Sequence, residues 1–153
     1  MATILEKIIA TKREEIAQAK RAIPVEQLRA QISEAPPLRN FFDALADADG
    51  IALIAEIKKA SPSAGILIDN FNHLELAKMY VENGATCLSV LTEEKHFLGK
   101  LEHIQDIKKK FKIPILAKDF FIDPYQIPLA KSFGSDCILI IIAALSSSQA
   151  DEI

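Results

Sequence analysis

Half of the 153 residues are hydrophobic and a quarter are charged, enough for one domain with a core of its own. A net charge of −3, from 18 basic and 21 acidic residues, argues against the strongly basic face of a nucleic-acid binder, and no nucleic-acid partner is expected. The longest apolar run, residues 138–145, falls far short of the roughly 20 residues that span a bilayer, so no membrane partner is expected either.

The N-terminal stretch is amphipathic and mixed in charge, without the apolar core of a signal peptide. Ile4, Leu5, Ile8, Ile9 and Ile16 recur near helical spacing and predict a helix over 2–20. A second helix is expected over 24–33, with Pro24 at its first turn. Pro36-Pro37 breaks the chain, and residues 38–46 read as a third helix with Phe41, Phe42 and Leu45 on one side.

After Asp49-Gly50 the pattern changes. "IALIAEIKK" is a near-continuous apolar run, as in a strand covered on both faces. Strands are predicted near 51–58, 86–91, 114–119 and 137–143, and helices near 72–83, 100–111 and 124–133. Gly84 and Gly134 fall just past helix ends, where a left-handed cap is common. Lys108-Lys109-Lys110 reads as a solvated helix face. Cys87 and Cys137 each sit in an apolar run with no neighbour at metal-ligand spacing. They read as buried free thiols in a reducing, cytoplasmic setting, and no metal is expected.

"GATCLSVL" (84–91) and "GSDCILII" (134–141) share the same glycine, cysteine and apolar spacing. Repeated strand–helix units with buried strands imply a parallel sheet with right-handed crossovers, either doubly wound or a TIM barrel. No glycine-rich dinucleotide fingerprint follows any strand, which argues against a Rossmann domain. The fold class is therefore α/β. The division expected is helices alone over 1–47 and four strand–helix units over 48–153, half the number a barrel needs, ending as Ser146–Ser148 cap a fourth helix.

In such folds chemistry sits at the carboxyl ends of the strands. Strand parity puts Glu56 and Lys58 on one face, with Ala52 and Ile54. A carboxylate and an ammonium there are costly to bury unless paired, so the two are either a site or a structural ion pair. "SPSAG", Ser61 to Gly65, offers hydroxyls and free amides that suit an anion, or is simply a turn. Lys118 points with Leu116 and Phe120, while Ile115, Ala117 and Asp119 point away. That lysine is open to three readings: a general acid, a Schiff-base amine or a salt-bridge partner. "SVLTEEKHFLG" reads as a loop over the strand ends with Phe97 as an apolar wall; His96 reads as a surface residue, and His73 and His103 as structural.

The stretches "IAEIKKASPSAG", "GATCLSVLTEEKHFLG", "PILAKDFFIDPYQI" and "GSDCILIIIAAL", in order and spacing, resemble indole-3-glycerol phosphate synthase. "PPLRNFFDAL" resembles the helical extension of that family. The resemblance implies a (β/α)8 TIM barrel and a carbon–carbon lyase of tryptophan biosynthesis. Such an enzyme converts 1-(2-carboxyphenylamino)-1-deoxyribulose 5-phosphate by ring closure, decarboxylation and dehydration, with no cofactor. It implies Lys118 as the main acid, Lys58 on the substrate carboxylate, Glu56 orienting the lysines, Ser61 at the phosphate, and Phe97, Phe120 and Leu139 walling the aromatic ring. The general base on the fifth strand, and most of the phosphate site after strands seven and eight, have no counterpart in these residues. Residues 1–153 alone are therefore expected to be inactive and to self-associate through open half-barrel edges. The alternatives are another phosphate-binding barrel enzyme, an isomerase or a Schiff-base aldolase, or a non-catalytic half-barrel assembly module.

Overall fold

In the computed structural model, which describes residues 2–153, helix α1 spans Ile4–Ala22. Thr3 starts it with a capping box: its hydroxyl accepts the Glu6 amide, and the Glu6 carboxylate accepts the Thr3 amide. Helix α2 (Val25–Glu34) follows directly after Pro24. Helix α3 is shorter than expected, Phe41–Ala46, because the Asn40 side chain accepts the Asp43 amide and fixes the start there. So short a helix buries only a narrow stripe. Phe41 and Leu45 are half-buried, whereas Phe42, expected beside them, is 75 % exposed.

The chain then alternates. β1 (Ile54–Ile57) leads into a small hairpin of β2 (Ala60–Ser61) and β3 (Gly65–Ile66), then α4 (His73–Glu82) and β4 (Cys87–Leu91). Next come α5 (Leu101–Lys110), β5 (Ile115–Lys118), α6 (Gln126–Ser132), β6 (Cys137–Ile138), a 3-10 turn at Ile142–Ala144, and α7 (Ser147–Glu152). Strands β1, β4, β5 and β6 form one parallel sheet in that order. A doubly wound sheet reverses strand order at a switch point; this sheet does not. Ala55, Ile57, Leu88, Val90, Ile115 and Ala117, all of one strand parity, share a core with Ala77 of α4, Ile104 and Ile107 of α5 and Ala130 of α6. The helices between the strands thus cover a single face. The result is an open half-barrel, its concave face lined by the opposite parity.

The helical extension packs on this unit rather than on itself. Ile16 of α1 and Leu28 of α2 share a second core with Ile122 and Tyr125, and the Tyr125 hydroxyl donates to the Ile23 carbonyl at 2.8 Å. Helix α3 lies under the sheet, where the inward-facing Cys87 is buried and approaches the Phe41 carbonyl. Both cysteines are free; Cys137 is only half-buried, not fully buried as read from sequence, and burial pushes its thiol up to about 12.

Three further readings need correction. The fourth strand is two residues long rather than seven, because β5 ends its ladder at Lys118 and no second neighbour pairs with β6 among the described residues. The residues beyond it leave Ile142 67 % exposed. "IALIAEIKK" is covered on one face, not two: Ala55 and Ile57 are buried, while Ile54, of the opposite parity, is exposed. Finally, Lys108 is not on a solvated face. Its side chain has no exposed surface and donates to Asp136, which also accepts the amides of Arg39 and Ile115, each at 2.7 Å.

On the outer face, the His73 and His103 rings stack with centroids 4.3 Å apart, and His73 Nε2 lies 3.2 Å from Asp106. Burial, with His73 and Lys100 adding, lowers His103 to about 4. Its unfolded value is about 6.5, so between these limits the unfolded chain binds more protons and stability rises with pH. We expect a loss of about 1–2 kcal/mol from pH 7 to pH 4.5, after allowance for solvent screening, that His103→Leu removes. Urea midpoints for both proteins across that range test this; parallel curves would count against it.

Candidate active site

Register across the sheet assembles the concave face in rows. Glu56 of β1 pairs with Ser89 of β4, Ser89 with Leu116 of β5, and Leu116 with Cys137 of β6. In the next row Leu91 faces Lys118. β1 and β5 are not neighbours, and two strand spacings separate them by about 10 Å. The extended lysine chain crosses that distance: Lys118 Nζ donates to Glu56 Oε2 at 2.7 Å. Ser89, small and buried, occupies the strand between and leaves room for the crossing.

Lys58 approaches the other oxygen of the same carboxylate, Nζ to Oε1 at 2.8 Å. Glu56 is therefore held between two ammonium groups at the carboxyl ends of the strands. Burial alone would raise its carboxyl; hydrogen bonds and charge from Lys118 and Lys58 outweigh this and hold it below its ordinary value. All three side chains remain about one-third exposed, within reach of a ligand. The two cations can meet an anionic substrate, and a lysine ammonium can give a proton where negative charge develops.

The apolar part of the site forms in part. Phe97 and Phe120 meet at 6.3 Å between centroids and 43° between planes. Leu139 follows β6 and is half-buried. Ser61 stands apart from the charged group in its bonding. Its hydroxyl accepts the Ala64 amide at 3.2 Å and lies 3.4 Å from the Ser63 hydroxyl, closing the tip of the β2–β3 hairpin.

Several supporting residues escaped the sequence reading. Glu93, fully buried, accepts the amides of His96 and Phe97 and contacts His96 Nδ1 at 2.9 Å. It shapes the loop that carries Phe97, and it makes His96 a half-buried partner rather than a free surface residue. Gly99 completes that loop, since a Cβ there would sit 2.2 Å from the Leu91 carbonyl oxygen. Asp119, next to Lys118 but on the opposite face, is buried against Lys12 of α1.

The sequence model of indole-3-glycerol phosphate synthase matches residues 5–153. The chain belongs to the indole-3-glycerol phosphate synthase family. Its relatives of that name include one from Roseiflexus sp. (strain RS-1), 47 % identical over 151 residues, an alignment covering 95 % of this chain and 56 % of the relative. The relative from Desulforamulus reducens is 45 % identical over 150 residues, covering 98 % and 57 %. That from Neisseria gonorrhoeae (strain NCCP11945) is 44 % identical over 152 residues, covering 97 % and 58 %. The chain thus spans little more than half the length of these relatives. The family fold is a TIM barrel, and the open four-stranded sheet seen here is consistent with half of one. No helix among the described residues is long and apolar enough to cross a membrane.

Proposed function

We propose that this chain carries the acid half of an indole-3-glycerol phosphate synthase, a carbon–carbon lyase of the cytoplasm. The observation that carries the reading is the Glu56 carboxylate clamped by Lys58 and Lys118, supported by the Phe97–Phe120 ring contact in the loops after β4 and β5. In this reading the ammonium of Lys118 gives its proton to the substrate ketone oxygen as the aromatic carbon attacks. Lys58 holds the substrate carboxylate until it leaves as carbon dioxide, and Glu56 orients both lysines and offsets the positive charge that develops on the substrate. Phe97, Phe120 and Leu139 wall the aromatic ring, and loss of water completes the indole. Ser61 would reach a substrate phosphate only by giving up its bonds within the hairpin turn. The helical extension over 1–47 and the barrel unit over 48–153 act together, because α1 and α2 share a core with residues that follow β5.

The test is turnover. The full-length protein is expected to convert 1-(2-carboxyphenylamino)-1-deoxyribulose 5-phosphate to a fluorescent indole with one carbon dioxide released per turnover. Residues 1–153 produced alone are expected to show none, and to associate through β1, β6 and the exposed Ile54 and Ile142. No product from the full-length protein, under conditions where the Roseiflexus relative is active, would overturn the reading. Borohydride trapping of a substrate adduct on Lys118 would favour a Schiff-base aldolase instead. A stable, discrete assembly with no ligand affinity would favour a non-catalytic module.

A further inference from the structure

Lys12 lies in the middle of the buried stripe of α1, between Ile8 and Ile16, and its side chain is 7 % exposed. Its ammonium is 2.9 Å from Asp119 Oδ1 and 2.9 Å from Glu15 Oε2. Asp119 directly follows Lys118 in the chain and faces the opposite side of β5. Its Oδ1 also accepts the Phe120 amide at 2.7 Å, and its Oδ2 accepts the Thr92 hydroxyl at 3.0 Å. The Thr92 amide in turn donates to the Lys118 carbonyl at 3.0 Å. The backbone is therefore fixed on both sides of Asp119, at the two residues that aim Lys118 and Phe120 onto the concave face.

We propose that the buried Lys12–Asp119 pair is a positioning device through which helix α1 sets the placement of Lys118. This rests on the acid role proposed above for Lys118. The pair cannot act on substrate directly, because strand parity turns it away from the concave face. A buried ion pair adds little stability over apolar side chains of the same volume, so stability alone is a weak reason for it. What it supplies is direction. Beside it lies a cleft of about 450 Å³ whose lining includes Lys12, Glu15, Thr92, Glu94 and Asp119, so apolar packing is incomplete around the pair itself. The contact also crosses from the helical extension to the strand that bears the acid, a link that sheet hydrogen bonding cannot provide.

The test uses the full-length protein with Lys12→Met, Lys12→Arg, and the double variant Lys12→Met/Asp119→Asn, which removes both charges at nearly constant volume and guards against a fold lost to an unpaired buried carboxylate. Expected are a ten- to hundredfold fall in kcat for Lys12→Met and for the double variant, a KM changed less than threefold, and recovery to within threefold in Lys12→Arg. A second readout does not depend on turnover. The NMR resonance of the 13C-methylated Lys118 amine, assigned by its loss in Lys118→Arg, is expected to move in Lys12→Met. If the wild-type protein has no turnover, the acid reading fails while this resonance still decides whether the pair places Lys118. An unmoved resonance, or a folded double variant with wild-type kcat, overturns the proposal.

Discussion

Replacing Lys118 with methionine is expected to lower kcat about 10²–10⁴-fold, the contribution typical of a positioned general acid. Methionine keeps most of the side-chain volume and removes only the proton and charge. Glu56 remains paired with Lys58 at 2.8 Å, so the remaining carboxylate is not stranded. Since the Lys118–Glu56 pair is about one-third exposed, its loss is expected to change stability by no more than about 1 kcal/mol. The companion variant Lys118→Arg separates charge from proton transfer. Arginine can keep the bridge to Glu56 but does not give up its proton in proteins, so it is expected to bind substrate and remain inactive. Steady-state kinetics on folded protein decide the matter. A Lys118→Met variant that keeps a third or more of wild-type kcat would remove Lys118 from the chemistry.

Asp136→Ala is expected to be the most damaging single change to stability, at about 3–5 kcal/mol, the range for breaking a buried ion pair from one side. Its carboxylate is fully buried and holds the Lys108 ammonium and the amides of Arg39 and Ile115. The same Arg39 donates from its guanidinium to the carbonyls of Phe111, Ile113 and Lys108. One residue therefore ties the segment before α3 to the end of α5 and the starts of β5 and β6. Burial already pushes the Lys108 ammonium down, and Asp136 is what opposes that shift. Without Asp136 a buried cation and two amides lose their partner at once. Against a total stability of about 5–15 kcal/mol, this leaves a marginal fold. Lys109→Met, at an exposed neighbour, is expected to stay within about 0.5 kcal/mol. Urea midpoints for the two variants check the contrast, and equal midpoints would refute it.

Much of this was legible from period and parity. The alternation of apolar strands and amphipathic helices placed the strand β1 and helices α4, α5 and α6 within a few residues, and the period of two separated Lys118 from Asp119. Parity could not show that Lys118 reaches Glu56 across an intervening strand, because that depends on pairing order and on the small Ser89 between them. Two lysines were hidden in plain composition. Lys12 is spaced four residues from both Ile8 and Ile16, and Lys108 falls four after Ile104 and three before Phe111. Each interrupts an apolar helical stripe, and that spacing is the signal that each is buried and paired. Reading Lys108 as one of three consecutive lysines obscured its stripe. The fourth strand was over-extended because propensity alone favours "CILIII" as strand, whereas a strand exists only where a neighbour supplies its hydrogen bonds. A turn is one of the two readings of "SPSAG", but the hairpin strands beside it escaped because two-residue strands carry no periodicity.

The docking of α1 and α2 on the chain after β5 also sets a timetable for synthesis. The hydrogen bonds between the residues just before β1 and β4, Leu53 and Thr86, span 33 residues, and those between Ile115 at the start of β5 and Asp136 just before β6 span 21. The contacts that seat the extension, Lys20 with Asp123 and Ile23 with Tyr125, span 103 and 102. The first two helices leave the ribosome with Ile8 and Ile16 uncovered and nothing to receive them. At about 5–20 residues per second, that wait is roughly 5–20 s. The βα units can assemble one after another during that interval, and helices made before them are then among the last to find their place.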